Sequence, residues 1–249
     1  MQVVHGIERL LPEHGPVFVV VGVFDGLHLG HHYLLAQLVE GAAARDARPT
    51  VITFDHHPDE VLTGHAPPLL LDPDERLERL AGAGVAVTVV QHFDELLRRT
   101  PYDVFVERIC ARVELRGFLM TPDAAFGYER RGTPDALAPL GARDGFDVVV
   151  IPPFSLDGRT VRSSEIRALI RSGGLGEAAE LLGRPFTLTG SLTGTTLTFA
   201  LPMALPPDGR YRVRLGGVET TVDIRDGDVQ LRSAMAMAIG RVTVEFFGT

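Results

Sequence analysis

Val17-Phe-Val-Val-Val-Gly-Val-Phe-Asp-Gly-Leu-His-Leu-Gly-His31 is the stretch on which the reading of this chain turns. Its first half is an almost unbroken apolar, β-branched run, the pattern of a strand buried on both faces. Its second half is a glycine-rich turn, after which a helix is expected from His31 to Ala44. Two histidines, His28 and His31, therefore stand three residues apart where the chain enters its first helical turn. Unsatisfied backbone N–H groups and the positive end of the helix dipole converge there, which makes the turn an anion site. Gly22, Gly26 and Gly30 let a ligand approach the main chain closely. The imidazoles can donate to phosphate oxygens as charge develops during phosphoryl transfer. No side chain in the stretch is a natural covalent nucleophile. The chemistry implied is in-line attack by a bound acceptor on the α-phosphorus of ATP, with Mg2+ bridging the phosphates and pyrophosphate leaving. A structural turn and a metal site are the competing readings of the histidine pair, and His32, one position further round, is expected to be solvated or packed.

Working outward, similar apolar runs recur at Pro49 to Phe54, Val85 to Val90, Leu115 to Met120 and Phe146 to Ile151. Helical stretches lie between them, such as Asp74 to Ala81 and Pro101 to Ala111, with Asp72 as a cap and Pro73 at the first helical position. Strands alternating with helices at this spacing predict an α/β, Rossmann-like parallel sheet with helices on both faces. Beyond Leu182 the texture changes to short Thr- and Val-rich segments, including Tyr211 to Leu215, Glu219 to Ile224 and Arg241 to Phe247. Gly216-Gly217 and Asp226-Gly227 suit tight hairpin turns between them. A nucleotidyltransferase domain over 1–184 and a small β-barrel-like domain over 185–249 are expected.

The 249 residues carry 24 Lys+Arg against 32 Asp+Glu, a formal net charge of −8. Such a field repels a nucleic-acid backbone, so small-molecule partners are expected and nucleic acid is not. No apolar run reaches the ~18 residues of a membrane span, and no signal-peptide pattern opens the chain. A cytoplasmic protein without a membrane partner is expected. The single cysteine, Cys110, excludes an intrachain disulfide and is expected to be buried and structural.

Gly22-Val-Phe-Asp-Gly-Leu-His-Leu-Gly-His-His-Tyr-Leu-Leu resembles the first motif of the bacterial bifunctional riboflavin kinase/FAD synthetase family, in its FMN adenylyltransferase module. Thr53-Phe-Asp-His-His-Pro58, Phe93-Asp-Glu-Leu, Phe105-Val-Glu, Phe126-Gly127, Arg162-Ser-Ser-Glu-Ile-Arg167 and Leu181-Leu-Gly-Arg-Pro-Phe186 agree in order. The likeness spans most of residues 15 to 190. It implies ATP and FMN as substrates, Mg2+ as cofactor, and FAD and pyrophosphate as products. By this resemblance His28 and His31 contact the ATP phosphates. Gly22, Phe24, Asp25, Gly26 and Gly30 shape the nucleotide loop, and Ser163, Ser164 and Arg167 supply further phosphate donors. Thr53, His57, Pro58, Asp123, Phe126 and Gly127 fall to the acceptor side. The serines also read as plain helix caps.

The departures bear on the acceptor and on the tail. Where the family has Gly-x-Asp-Phe-x-Phe-Gly, this chain has Thr121-Pro-Asp-Ala-Ala-Phe-Gly127; the Pro-His-Pro of the family is His56-His57-Pro58. Another phosphorylated or phosphonate acceptor is therefore the alternative to FMN, and an inactive nucleotide-binding regulatory protein is a second alternative. Where the kinase module of the family carries its Thr-Ala-Asn element, this chain has Gly194-Thr-Thr-Leu-Thr-Phe-Ala-Leu-Pro-Met-Ala-Leu205. The tail is expected to be a shrunken, degenerate remnant without riboflavin kinase activity.

Overall fold

The structure, a computed structural model, describes residues 1–232 and 240–247. The chain divides into two compact units. The first comprises Met1–Phe24, His31–Pro67 and Leu77–Phe154, the second Asp25–Gly30, Pro68–Arg76 and the chain from Ser155 onward.

The first unit holds six parallel strands: β1 (Gln2–His5), β2 (Val17–Val21), β3 (Arg48–Phe54), β4 (Val87–Gln91), β5 (Leu115–Met120) and β6 (Asp147–Val150). Their order is β1-β4-β3-β2-β5-β6. From β2 the chain proceeds to β3 and β4 on one side, then to β5 and β6 on the other. The sheet thus reverses its winding between β2 and β5, and open parallel sheets bind ligands outside the carboxyl ends of their strands at such a switch point. Four of the five residues of β2 are buried, as its continuous apolar run requires. The connecting helices are α1 (Leu29–Ala43), α2 (Pro58–Thr63), α3 (Pro73–Gly82), α4 (Glu95–Arg98), α5 (Tyr102–Cys110) and α6 (Pro134–Asp144). Gly41 on α1 admits the Phe18 ring, which would lie 2.7 Å from any Cβ there. Close helix–sheet packing above β2 depends on that glycine. Asp72 accepts from the N–H groups of Asp74 and Glu75, the cap expected for α3. Cys110 is exposed at the end of α5, not buried. The last helical residue faces outward here, although partial desolvation and the Asp144 charge still hold its thiol above the usual range.

The second unit contains a small hairpin, β7 (Ser155–Leu156) with β8 (Arg159–Thr160), the helices α7 (Ser163–Ser172) and α8 (Leu175–Leu182), and a closed antiparallel barrel. The barrel strands are β9 (Thr187–Thr193), β10 (Thr196–Thr198), β11 (Gly209–Leu215), β12 (Val218–Arg225), β13 (Asp228–Leu231) and β14 (Gly240–Phe246). Their order is β10-β13-β12-β11-β14-β9, with β9 pairing back to β10. Gly216 and Gly217 join β11 to β12, and Asp226 and Gly227 join β12 to β13, all four at positive φ. Two-residue turns of that hand match the twist of the strands they connect. Among the described residues no helix is long and apolar enough to cross a membrane.

Candidate active site

Within the second unit, the glycine loop is organised around a buried carboxylate. Asp25 accepts from the Leu70 N–H at 3.0 and 3.1 Å and from Arg167 Nη2 at 2.6 Å. Arg167 Nε donates to the Pro68 carbonyl at 2.9 Å, so one guanidinium ties two loops together. Ser163 Oγ donates to the Asp25 carbonyl and Arg184 Nη2 to the Gly26 carbonyl, both at 2.9 Å. Gly26 has φ +81, and a Cβ there would lie 2.9 Å from Leu70 Cδ1. His28 is buried, its ring lying where a Cβ on Gly30 would stand 3.2 Å from Cε1 and Nδ1. Ser163 opens α7 with Arg162 at the cap position, and Ser164 is exposed on the first turn. The structure thus places Asp25, Ser163 and Arg167 in one hydrogen-bonded group, with the neighbouring Gly26 tied to Arg184.

Within the first unit, the carboxyl end of β2 continues to Gly22, whose N–H donates to the Ile52 carbonyl at 3.0 Å. The buried hydroxyl of Thr53 donates to the Val23 carbonyl at 3.0 Å and carries the edge of β3 into the loop. Phe24 is buried at φ 55, a conformation that only its surroundings can maintain. Its ring lies 5.1 Å from that of His31, and a Cβ on Gly22 would crowd it at 3.0 Å.

Two cavities open at the switch point between β2 and β5. The smaller, about 180 Å³, is lined by Gly22, Phe24, His31 and the end of β5 through Thr121. The larger, about 610 Å³, is lined by Phe54, Pro58, Phe93, Phe105, Tyr128 and Arg130 among others. Val21, Gly22, Ala124, Ala125 and Phe126 line both, so the two cavities share a wall. Phe126 packs 5.3 Å from Phe105 and 5.4 Å from Phe118. Gly127 has φ +75, and a Cβ there would come within 2.7 Å of the Tyr102 backbone. Asp123 accepts from the Thr121 hydroxyl at 2.8 Å, while its carbonyl accepts from Arg130 Nη2 at 3.2 Å. His57 caps α2, its Nδ1 accepting from the Asp59 N–H at 3.2 Å, with Pro58 as the first helical residue. Phe54, Phe93, Phe105 and Arg184 lie in stretches that carry the family resemblance, but sequence reasoning gave them no place in the site. The sequence signal for the lining was an aromatic residue at or just beyond the end of β3 and β4.

Beside the larger cavity, Asp55 meets two imidazoles. Burial raises its carboxyl, but hydrogen bonds from His92, His56 and the Phe93 N–H outweigh that and hold it below the usual range. The Asp55 hydrogen bond and charge in turn raise His92.

A parallel sheet that reverses its winding, with cavities at the switch point, is the architecture of a nucleotide-binding domain. The chain belongs to the FAD synthetase family, whose model matches residues 11–165. It is 34% identical over 229 residues to a bifunctional riboflavin kinase/FMN adenylyltransferase of Pseudomonas fluorescens, covering 90% of this chain and 74% of that one. The enzyme of the same description from Escherichia coli K12 is 30% identical over 225 residues, covering 88% and 72%. That from Haemophilus influenzae is 29% identical over 192 residues, covering 76% of this chain and 62% of the relative. A crystal structure described as a macrolide-efflux protein from Streptococcus pneumoniae superposes with a TM-score of 0.81 at 22% identity, covering 98% and 96% of the two chains. That likeness concerns the fold.

Proposed function

We propose that this chain is an adenylyltransferase that joins AMP from ATP to FMN, forming FAD and pyrophosphate, and that it has no riboflavin kinase activity. The observation that carries the first half is the pair of cavities sharing the Ala124–Phe126 wall at the β2/β5 switch point. The larger has the volume and aromatic lining of a site for a flat, drug-sized ring system. A flavin seated there would direct its phosphate along the shared wall toward Gly22 and His31. One phosphate oxygen attacks the α-phosphorus of ATP, the new P–O bond forms as the bond to the β-phosphate oxygen breaks, and pyrophosphate departs. His28 and His31 donate to the phosphate oxygens as their charge shifts.

Asp25 is the carboxylate within the loop, and it is engaged by Arg167 and the Leu70 N–H. This fits Mg2+ carried in by the nucleotide and held chiefly by phosphate oxygens and water. Mg2+ bound with the nucleotide would supply positive charge to the leaving pyrophosphate.

The second half rests on residues 194–205, which offer threonine hydroxyls and no asparagine, carboxylate, lysine or arginine. Thr198 is engaged within the barrel, donating to the Ser191 carbonyl at 3.2 Å. Incubation with FMN, Mg2+ and each nucleoside triphosphate, followed by mass analysis, tests the acceptor and the nucleotide together. FAD formed from FMN and ATP is expected; nucleotidyl transfer only to another phosphorylated or phosphonate compound would reassign the acceptor.

A further inference from the structure

We propose that Asp55, His56 and His92 form a binding site for a borderline divalent transition-metal ion of the zinc type, beside the larger cavity. β3 and β4 are adjacent and parallel, with Phe54 paired to Gln91. The next residue on each strand, Asp55 and His92, therefore emerges beside the other although 37 positions separate them in sequence. Asp55 Oδ2 lies 2.7 Å from His92 Nδ1, and Oδ1 lies 3.0 Å from His56 Nδ1. The Phe93 N–H holds Oδ1 from the chain at 3.1 Å, so the carboxylate is anchored before any ion arrives. The imidazoles stand edge to face with centroids 5.4 Å apart, and one ligand atom from each of the three side chains lies within 4.8 Å of the others.

Tetrahedral coordination with bonds of 2.0–2.2 Å needs neighbouring ligand atoms roughly 3.4 Å apart. From 2.7 Å and 3.0 Å, the Asp55 contacts to His92 and His56 would open by about 0.4–0.7 Å to reach that, which exposed side chains permit. Two imidazole nitrogens and one carboxylate oxygen form the donor set that zinc and its neighbours favour, whereas Mg2+ prefers oxygen ligands and retains its waters. The site is thus chemically distinct from the Mg2+ that accompanies a nucleotide. Three protein ligands leave at least one position open. Phe54 and Phe93, which flank the ligands in sequence, line the cavity and pack against each other at 5.2 Å. An ion here would cross-link the ends of β3 and β4 beside that lining.

The experiment is calorimetric titration of the tag-free full chain with ZnCl2 in the presence of excess Mg2+, comparing the natural sequence with H56A/H92A and D55N. One zinc site is expected in the natural chain. Both variants should bind zinc about 10- to 100-fold more weakly or worse, since loss of even an outer-shell partner commonly has that effect. Cobalt substitution should give a low-coordination visible spectrum that disappears in H56A/H92A. No zinc uptake by the natural chain, displacement of zinc by Mg2+, or unchanged affinity in H56A/H92A would each overturn the proposal.

Discussion

At the scale of single residues, the loop between β2 and α1 and the residues packed on it differ in surroundings: His31 lines a cavity, whereas Asp25 is engaged by Arg167. His31 lines the smaller cavity beside Phe24, so His31→Ala should lower turnover by about 100-fold or more, the usual effect of losing a donor to developing charge. Full activity in that variant, with unchanged circular dichroism, would remove the histidine from the chemistry. Arg167 is a shaping group, buried and 2.6 Å from the equally buried Asp25. Arg167→Ala leaves that carboxylate without its counter-charge, and breaking a buried pair in this way costs about 3–5 kcal/mol. Urea unfolding should register the loss, and a midpoint matching the natural protein would contradict it. These two residues also show what sequence can reveal. His28, His31 and the glycines at 22, 26 and 30 stood out in the sequence because they fall within ten contiguous residues between a strand and a helix. The motif that holds Arg167 was visible in the sequence, whereas its partner Asp25, 142 positions away, was not. Arg184 was hidden for the same reason, since its hydrogen bond to Gly26 spans 158 positions.

At the scale of elements, legibility followed continuous apolar runs, with β6 readable from Phe146 to Ile151 although none of its four residues is buried. β2, β3 and β5 were readable to within one or two residues because strands covered on both faces must be continuously apolar. β1 carries a single buried residue, Val4, and α6 contains Pro139 within the helix, so neither gave a clear pattern. The hairpin turns of the barrel were legible because positive φ at paired positions calls for Gly or Asp. The connection after β5 is where an element bears most on specificity. Ala124 lies in the wall common to both cavities, so Ala124→Phe should reduce the space available to the acceptor. The expected outcome is a raised KM for FMN; an unchanged KM for FMN would show that position 124 does not face the acceptor. In the barrel, Asp223 on β12 is gripped by Arg210 at 2.7 Å and by Arg232, and these hydrogen bonds lower its pKa from 3.8 to about 2. A depressed carboxylate contributes stability that is fully present above its unfolded pKa of 3.8 and is lost as pH falls through about 2. Asp223→Asn should therefore unfold more readily than the natural protein at neutral pH. Thermal melts of the two should converge between pH 3.8 and 2, and a gap that stays constant through that interval would refute the assignment.

At the scale of the whole molecule, one chain combines a nucleotide-binding parallel sheet and a closed antiparallel barrel, while the relatives it matches carry two activities in their descriptions. The two architectures make different chemical demands. In-line transfer at the glycine loop needs oriented donors and an acceptor, with no enzyme nucleophile, so pyrophosphate release should require Mg2+ and acceptor together. Labelled nucleotide remaining on the protein after denaturing electrophoresis would reveal a covalent intermediate and disprove direct transfer. A riboflavin kinase must instead hold Mg2+ and a γ-phosphate beside the ribityl hydroxyl, which takes oxygen ligands and a fixed phosphate loop at one place. In the barrel, residues 194–205 supply neither carboxylate nor asparagine. β10 presents Leu197 to the barrel interior, while Thr196 pairs in register with Thr193 and Gln230. Asp208, just beyond that stretch, accepts from the Asp226 N–H at 3.1 Å and so fastens one turn to another. The described part of the barrel thus directs these polar groups toward its own closure. Riboflavin incubated with ATP and Mg2+ should yield no FMN above the enzyme-free control, while FMN supplied under the same conditions is consumed. FMN appearing in proportion to added protein would show that the barrel assembles a kinase site from residues outside 194–205.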